Sequence, residues 1–489
     1  MPKFNPDIPR LRDAVQQIVD EKHMPGLGLG VVAGGELVHA EGFGHADIAL
    51  GKPYTPDSRH RIGSVTKTMV ALCAMALVDE GRLSLDALVP ELLPDIEFKD
   101  NGSTLTVWHL LTHTGGIGEA PNLDDLKKPF DYLFAETDRS IPLAKLYTDG
   151  ITIEAVPGTK YAYANHGFAL LGEIVSRIEN TPLAEVMHRR VFEPLGMPAT
   201  DLEDEPHPDL AHGYSQAPTP QDRALLDLLG VKFESDDPVD GHNLPGAYVR
   251  VWGNGGAGAV QSTIVDMGTY ASALLRDSRG VVHPETLAAM TGDAWRPDKR
   301  LPGWGLGFSV RGDGERRLFG HGGSVFGGWN TYFAVYPGLD AALLLHVNLY
   351  SDYFDRLVVP RVLGAFLGDE DAPIAAQAID DRILESAPGV YELTMPGPLT
   401  NFRAQYNAGR VQIKREDDGL VLYSRRGPWK NGARLVATRP GEPDFFALVS
   451  ERSATNYMTM IRDNSGAVTG LRFQQIVDMY RNPELEPWQ

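Results

Sequence analysis

The stretch Arg61-Ile-Gly-Ser-Val-Thr-Lys places a serine hydroxyl, Ser64, three residues before an amine, Lys67. A serine hydroxyl is a weak nucleophile until a base within hydrogen-bond reach takes its proton. Residues three apart on a helix share a face, so Lys67 meets Ser64 without help from distant chain. The amine must be neutral to accept, a form that burial and neighbouring cations favour. A helix N-terminus adds N–H groups and a positive dipole end suited to a developing oxyanion. Gly63 allows close backbone approach just before the serine, and an apolar helical stretch follows. A second cluster, Tyr161-Ala-Tyr-Ala-Asn-His-Gly, contains Tyr163 and Asn165. A phenolic oxygen can relay a proton, and an amide can hold a substrate carbonyl or a lysine. The third, Gly320-His-Gly-Gly-Ser-Val-Phe-Gly-Gly, joins two expected strands. Its glycines let a strand come close to a ligand, His321 offers a polar ring, and the Ser324 N–H can complete an oxyanion site. Each cluster alone has a plainer meaning: a chance tetrapeptide, two packing tyrosines, a hairpin turn with a surface histidine.

Taken in order, Ser64-x-x-Lys67, Tyr163-x-Asn165 and His321-x-Gly323 resemble the motifs of the penicillin-binding-protein and class C β-lactamase-like serine hydrolases. Leu110-Leu-Thr-His-Thr-Gly-Gly and Gly256-Ala-Gly-Ala-Val-Gln-Ser-Thr look like that family too. The resemblance covers roughly residues 7–367. It implies that Ser64 attacks a carbonyl, Lys67 takes its proton with help from Tyr163, and Asn165 orients the acyl group and Lys67. It implies an oxyanion site from the Ser64 and Ser324 N–H groups, and deacylation by water. One departure stands out: many β-lactamases and transpeptidases carry Lys-Thr-Gly where this chain has His321-Gly322-Gly323. A histidine, mostly neutral at pH 7, makes a weaker carboxylate site than that lysine. The expected activity is therefore hydrolysis of a small ester or amide, first of all as a carboxylesterase. A D-stereospecific aminopeptidase or amidase is the alternative; weak β-lactamase activity and a non-catalytic penicillin-binding-like protein are the remaining ones.

The elements that must position these residues read as follows. Residues 8–21 have the apolar spacing of an amphipathic helix, with Leu11, Val15, Ile18 and Val19 on one face. Residues 27–33 and 36–44 flank Gly34-Gly35 as a hairpin, and residues 64–80 form a buried helix stopped by Gly81. Helical patterns dominate up to about residue 300, clearest at 107–112, 168–177 and 263–275. Strands return at 305–310, 317–321, 330–336 and 341–347, before a closing helix at 355–367 whose Pro360 suits only a first turn. The economical packing is an α+β sandwich: one antiparallel sheet drawn from both ends, flanked by helices, with a helical subdomain. After residue 389 short alternating runs recur, at 390–393, 402–406, 411–413, 420–423, 445–449, 457–461 and 468–473. That spacing suggests a small antiparallel β-barrel of about 100 residues, and it resembles the lipocalin-like barrel appended to some family members. The expected partition is a catalytic domain at 1–372, a linker at 373–387, within which 375–386 reads as a short polar helix or plain connection, and a barrel at 388–489.

Composition narrows the partners. The chain has 489 residues, too many for one compact core, and a formal net charge of −20. So acidic a surface disfavours phosphate backbones and anionic lipid. The single cysteine, Cys73, allows no internal disulfide, the N-terminal residues lack the apolar segment of a secretory leader, and no apolar run approaches the length of a membrane span. A cytoplasmic location is the expectation, with a small-molecule substrate and no nucleic-acid or membrane partner. No cofactor or metal is expected. His109 and His113 stand four apart but lack the glutamate of a zinc protease motif, and read as packing and capping residues. His207 and His212 sit in a Pro/Asp loop without acidic residues at ligand spacing. The glycine-rich 253–258 lacks the Lys-Ser/Thr of a phosphate loop, and no G-x-S-x-G elbow occurs. Trp252, Trp304 and Trp329 are candidate cleft residues, and Asp417 and Asp418 are candidates for an acidic barrel loop near the cleft.

Overall fold

The computed structural model describes residues 4–122, 124, 142–202, 205–216, 233–251, 253–351, 353–369, 376–393, 397, 399–400, 408–417, 419–425, 427–450, 453–474 and 477–488. Gly26–Ala33 and Glu36–Asp47 form the expected hairpin, turning through Gly34 and Gly35, both at positive φ. Its first strand pairs antiparallel with Ala341–Val347, so that Leu29 faces Leu345. The sheet therefore closes the two ends of the region onto each other. From one edge its order is Gly303–Trp304, Ser309–Arg311, Leu318–Val325, Trp329–Tyr336, Ala341–Val347, Gly26–Ala33, Glu36–Asp47 and Lys52–Pro53.

The two faces of the sheet differ because successive side chains of a strand point opposite ways. Leu27, Leu29 and Val31 face a core closed by the helices Ile8–Lys22 and Val359–Leu367. On the other face, Gly28 and Gly30 leave room for Ile264: a Cβ at either position would sit within 2.9 Å of its side chain. The helix Ile264–Leu274, capped by Thr263, lies flat there as a result. Pro360 falls in the first turn of the closing helix, after a π turn at Phe354–Val358.

At the centre of the second layer runs the helix Thr66–Asp79. Every residue from Thr66 to Leu77 is buried, as suits a helix that is apolar all round. Gly81, at φ +70°, ends it. Beside it lies Asn165–Glu179, longer at both ends than the apolar spacing indicates. The expected helix at 107–112 is the short Val107–Leu111.

Beyond this region eight antiparallel strands close a barrel: Gly389–Leu393, Val411–Glu416, Gly419–Ser424, Ala433–Ala437, Phe445–Ser450, Ser453–Arg462, Val468–Phe473 and Val477–Arg481. Ala433–Ala437 and Val477–Arg481 were not anticipated, and the run expected at 402–406 lies outside the described residues. Tyr391, Trp429, Phe446, Met458 and Phe473 pack in the barrel's own core. Within the stretch expected as a linker, Asp381–Ser386 is helical and buries Ile383 in that core.

Two glycines bring the Ser64 turn against the sheet. Gly63 has φ +54°, and a Cβ there would lie 2.7 Å from the Ser324 backbone nitrogen. At Gly323 a Cβ would strike the carbonyl oxygen of Ile62. Both side chains must be absent for the turn and the strand to touch. Gly63→Ala is expected to cost about 1–3 kcal/mol through a strained left-handed residue and this clash. The urea midpoint and the rate of Ser64 labelling by a fluorophosphonate, both expected to fall, check it.

Candidate functional site

Ser64 lies in the single 3-10 turn Gly63–Val65 that leads into Thr66–Asp79, and it is partly exposed where its neighbours are buried. Lys67 has no solvent exposure. Its Nζ lies 2.9 Å from Ser64 Oγ and donates to Asn165 Oδ1 at 2.8 Å and to the Ala257 carbonyl. The two carbonyl oxygens can only accept, so two N–H bonds of the amine are committed to them. The third direction faces Ser64 Oγ, which can donate. In its neutral form the amine therefore aims its lone pair at the serine proton.

Three separate segments meet at this lysine, each braced. Asn165 opens its helix. The Ala257 loop is tied to that helix by Asn254, whose Nδ2 donates to Ala169 O at 2.8 Å and whose Oδ1 accepts from Gly256 N at 3.1 Å. Val260 O accepts from Ile62 N at 3.1 Å, and Val260 N donates to Thr66 Oγ1 at 3.1 Å, so the loop also flanks the Ser64 turn. The Tyr163 ring centre is 5.1 Å from Lys67 Nζ.

His113 holds Tyr163. Its ring stacks on the tyrosine with centres 4.2 Å apart, and its Nδ1 accepts from Ala164 N at 3.1 Å. His109 does something else: it completes the capping box with Thr106. The helix ends between the two, and His113 has φ +56°. Among the described residues no group of three or more His, Cys, Asp or Glu is arranged to hold a metal.

His321 projects from Leu318–Val325 and is 6% exposed. Its Nδ1 lies 2.5 Å from the Gly322 carbonyl, an acceptor only, so Nδ1 carries the hydrogen. Nε2 then holds a lone pair, and it has no partner within the described protein. Burial, and next the Lys67 charge, push this imidazole down to about 3, so it is neutral. Trp304 stands edge-on to His321 at 5.4 Å and 6.0 Å from the Tyr163 ring.

Ser324 is braced from behind. Its Oγ donates to Asn330 Oδ1 at 2.6 Å, while the Asn330 carbonyl accepts from His60 Nε2 at 3.1 Å. Tyr54 OH lies 3.2 Å from His60 Nδ1, and His346 stacks on His60 at 4.5 Å. Both ring nitrogens of His346 are buried without a hydrogen-bond partner among the described residues.

The seven residues singled out from the sequence, Ser64, Lys67, Tyr163, Asn165, His321, Gly323 and Ser324, thus converge. Sequence reasoning missed the Ala257 carbonyl, the stacking of His113, and Asn330 with its histidines. The first two lie inside motifs already noted, but their roles depend on backbone direction and ring packing. Trp304 joins the site, Trp329 packs behind it against Arg61 at 5.2 Å, and Trp252 lies outside the described residues. Asp417 sits in a hairpin turn at φ +52°, and Asp418 lies outside the described residues. No helix among the described residues is long and apolar enough to cross a membrane.

The Beta-lactamase family model matches residues 11–363. Penicillin-binding protein 4 of Amycolatopsis lactamdurans is 27% identical over 76% of this chain and 94% of its own length. Esterase EstB of Burkholderia gladioli is 30% identical over 61% of this chain and 78% of its own. Among solved structures, the octameric penicillin-binding protein homologue from Pyrococcus abyssi covers 97% of this chain and all of its own, with a TM-score of 0.59 and 22% identity. The D-amino acid amidase from Ochrobactrum anthropi SV3, complexed with D-phenylalanine, covers 74% of this chain and all of its own, with a TM-score of 0.56 and 25% identity.

The buried histidines generate a pH dependence. His321 and His346 are pushed down to about 3, and His60 well below its ordinary value, all chiefly by burial. The unfolded chain takes up these protons near pH 6.5, whereas the folded chain refuses them. The contribution of these imidazoles to stability is therefore fully present above about pH 6.5 and is lost as pH drops, by up to about 1.4 kcal/mol per pH unit for each proton that only the unfolded chain binds. His346→Leu is expected to reduce that slope by one proton, checked by urea unfolding at a series of pH values between 7 and 4.

Proposed function

Because the chain belongs to the β-lactamase family of serine hydrolases, we propose that it cleaves a small ester or amide through an acyl enzyme on Ser64. The lone-pair direction of Lys67, set by Asn165 Oδ1 and Ala257 O, is the observation that carries this reading. Lys67 takes the Ser64 proton as Oγ bonds to the substrate carbonyl carbon. The carbonyl oxygen becomes an oxyanion held by the Ser64 and Ser324 N–H groups, which the Gly63 and Gly323 contacts bring together. Tyr163, beside Lys67, passes the proton to the leaving group, which departs as the acyl-serine forms. Asn165 orients the acyl group as well as the amine. Water then attacks the acyl carbonyl, gives up a proton to the same base, and releases the acid and the Ser64 hydroxyl.

A carboxylesterase-type activity is our first assignment. It is supported by the neutral His321, which gives the cleft wall no positive charge for a substrate carboxylate. The same residue favours one second reading. His321 Nε2 is a buried acceptor without a partner among the described residues, and a substrate N–H or O–H can satisfy it. An amide or a substrate with a free amine brings such a donor, which keeps a D-stereospecific amidase or aminopeptidase in view.

Ser64→Ala is expected to abolish turnover of a p-nitrophenyl acyl ester and of a D-alanyl amide, together with the mass shift that each leaves on the intact protein. Turnover persisting in that variant sinks the proposal. The ratio of kcat/KM for the two substrates in the unaltered protein decides between the readings. His321→Lys restores the missing charge and is expected to raise the acylation rate by a penicillin by about tenfold, or about 1.4 kcal/mol. Acylation kinetics followed by mass spectrometry check it.

A further inference from the structure

We infer that the C-terminal barrel sets the substrate selectivity of the Ser64 site by clamping an aromatic stack that forms the outer wall of the cleft. This rests on the acyl-serine reading above. The stack begins at the site: Trp304 abuts His321 and Tyr163. Tyr161 lies between Trp304 and Trp295, with ring centres 5.8 and 5.9 Å away and planes within 22° of parallel. Trp295 N donates to Trp304 O at 2.8 Å, and Trp304 N to Trp295 O at 2.9 Å. Trp295 and Tyr161 are only partly buried, so the stack carries flat apolar surface outward from His321 and Tyr163. A flat apolar group on the substrate, aromatic above all, is what such a surface binds.

Neither outer ring stands on a regular element. Trp295 belongs to the connection between the helix Pro284–Thr291 and the strand Gly303–Trp304, and Tyr161 to the one between the strand Ile151–Ile153 and the helix Asn165–Glu179. Each connection is gripped by a different part of the barrel. On the Trp295 side, Arg300 makes paired bonds to Asp298 of its own loop, at 2.7 and 3.0 Å, and to Asp444 of the barrel, at 2.8 and 3.0 Å. Such two-pronged guanidinium–carboxylate pairs fix geometry as well as charge. On the Tyr161 side, Glu154 accepts from Thr400 N at 2.8 Å, Thr400 Oγ1 at 2.9 Å and Leu399 N at 3.2 Å. Lys160, next to Tyr161, reaches the same Thr400 hydroxyl at 3.5 Å. Two barrel segments hold the two loops whose rings stack on each other. Arg300 and Thr400 act through those rings as positioning residues; neither touches the reacting atoms.

The test uses the full chain and the variants Asp444→Ala, Asp444→Glu and Thr400→Val. Each is titrated with a fluorophosphonate to count competent Ser64, then assayed on the phenylacetyl and acetyl esters of p-nitrophenol. Near-UV circular dichroism follows the coupled indoles. Asp444→Ala is expected to lower kcat/KM for the phenylacetyl ester about tenfold through KM, to leave the acetyl ester within about twofold, and to weaken the indole signal. Asp444→Glu should restore both readouts, and Thr400→Val should reproduce the selectivity change from the other anchor, which covers the case of an Asp444→Ala chain that does not fold. An unchanged ratio of the two esters, or an equal loss on both, overturns the inference while leaving the hydrolase intact. If the unaltered protein takes no label on Ser64, the hydrolase reading fails instead. The dichroism of Asp444→Ala and Asp444→Glu then still reports whether the barrel holds the stack.

Discussion

The Lys67 amine lies inside the protein with no contact to solvent, and an amine buried there must find its hydrogen-bond partners within the chain. That requirement organises the centre of the molecule. Asn165 must begin its helix where it does, the Ala257 carbonyl must turn inward, and Ser64 must occupy the third direction. Each supplier is held in turn: the Ala257 loop through Asn254, the Ser64 turn through Val260, the Tyr163 segment through His113. A shift in any of them would leave the buried amine short of a hydrogen-bond partner. The chemistry assigned to Ser64 is thus inseparable from satisfying one buried nitrogen.

A second constraint is the closeness of backbone to backbone. The Ser64 turn touches the strand of His321 only because Gly63 and Gly323 have no side chains. Behind that strand the sheet is braced by neutral, buried imidazoles, with His60 bonded to the Asn330 carbonyl and His346 stacked on it. Neutral rings add packing without adding charge near the place where an oxyanion would form. His321 follows the same rule: its Nδ1 hydrogen is taken by its own neighbour's carbonyl, and Nε2 is left as a buried acceptor without a partner among the described residues. A wall of that kind and one built on a lysine would sort substrates differently, the first by their donors and the second by their negative charge.

Among the described residues the barrel meets the rest of the chain through polar anchors at Thr400 and Asp444 and through Leu399, buried against Gly118. Its interior is filled by its own apolar side chains, so it has no need of the sheet to complete a core. The contacts at Thr400 and Asp444 are hydrogen bonds and ion pairs made to loops that end at the cleft. Contacts of that type carry orientation more than they carry stability, because partly exposed ion pairs contribute little net free energy. Their placement, one on each side of the Trp295–Tyr161–Trp304 stack, is what gives them a part in selectivity.

The order of Ser64, Lys67, Tyr163, Asn165, His321 and Gly323 was legible in the sequence, as were the hairpin, the buried helix and most of the barrel strands, since all of these are written in local spacing. A serine and a lysine three apart at the start of a helix are neighbours from local geometry alone, and alternating residues make a strand wherever it pairs. The strands Ala433–Ala437 and Val477–Arg481 escaped that reading because their apolar alternation is short and mixed with charge. What the sequence by itself determined was the spacing that makes Ser64 and Lys67 neighbours, the family their motifs resemble, and an α+β sheet followed by a barrel. Only the tertiary structure decided which carbonyl completes the lysine's coordination, that His113 stacks on Tyr163, which nitrogen of His321 carries the hydrogen, and where the barrel grips the rest of the chain. The physical reason is range. Helix and strand periodicity act over a few residues, whereas a buried amine, a stacked ring and an interdomain ion pair join atoms far apart in the chain, and those meet only once the whole chain has folded.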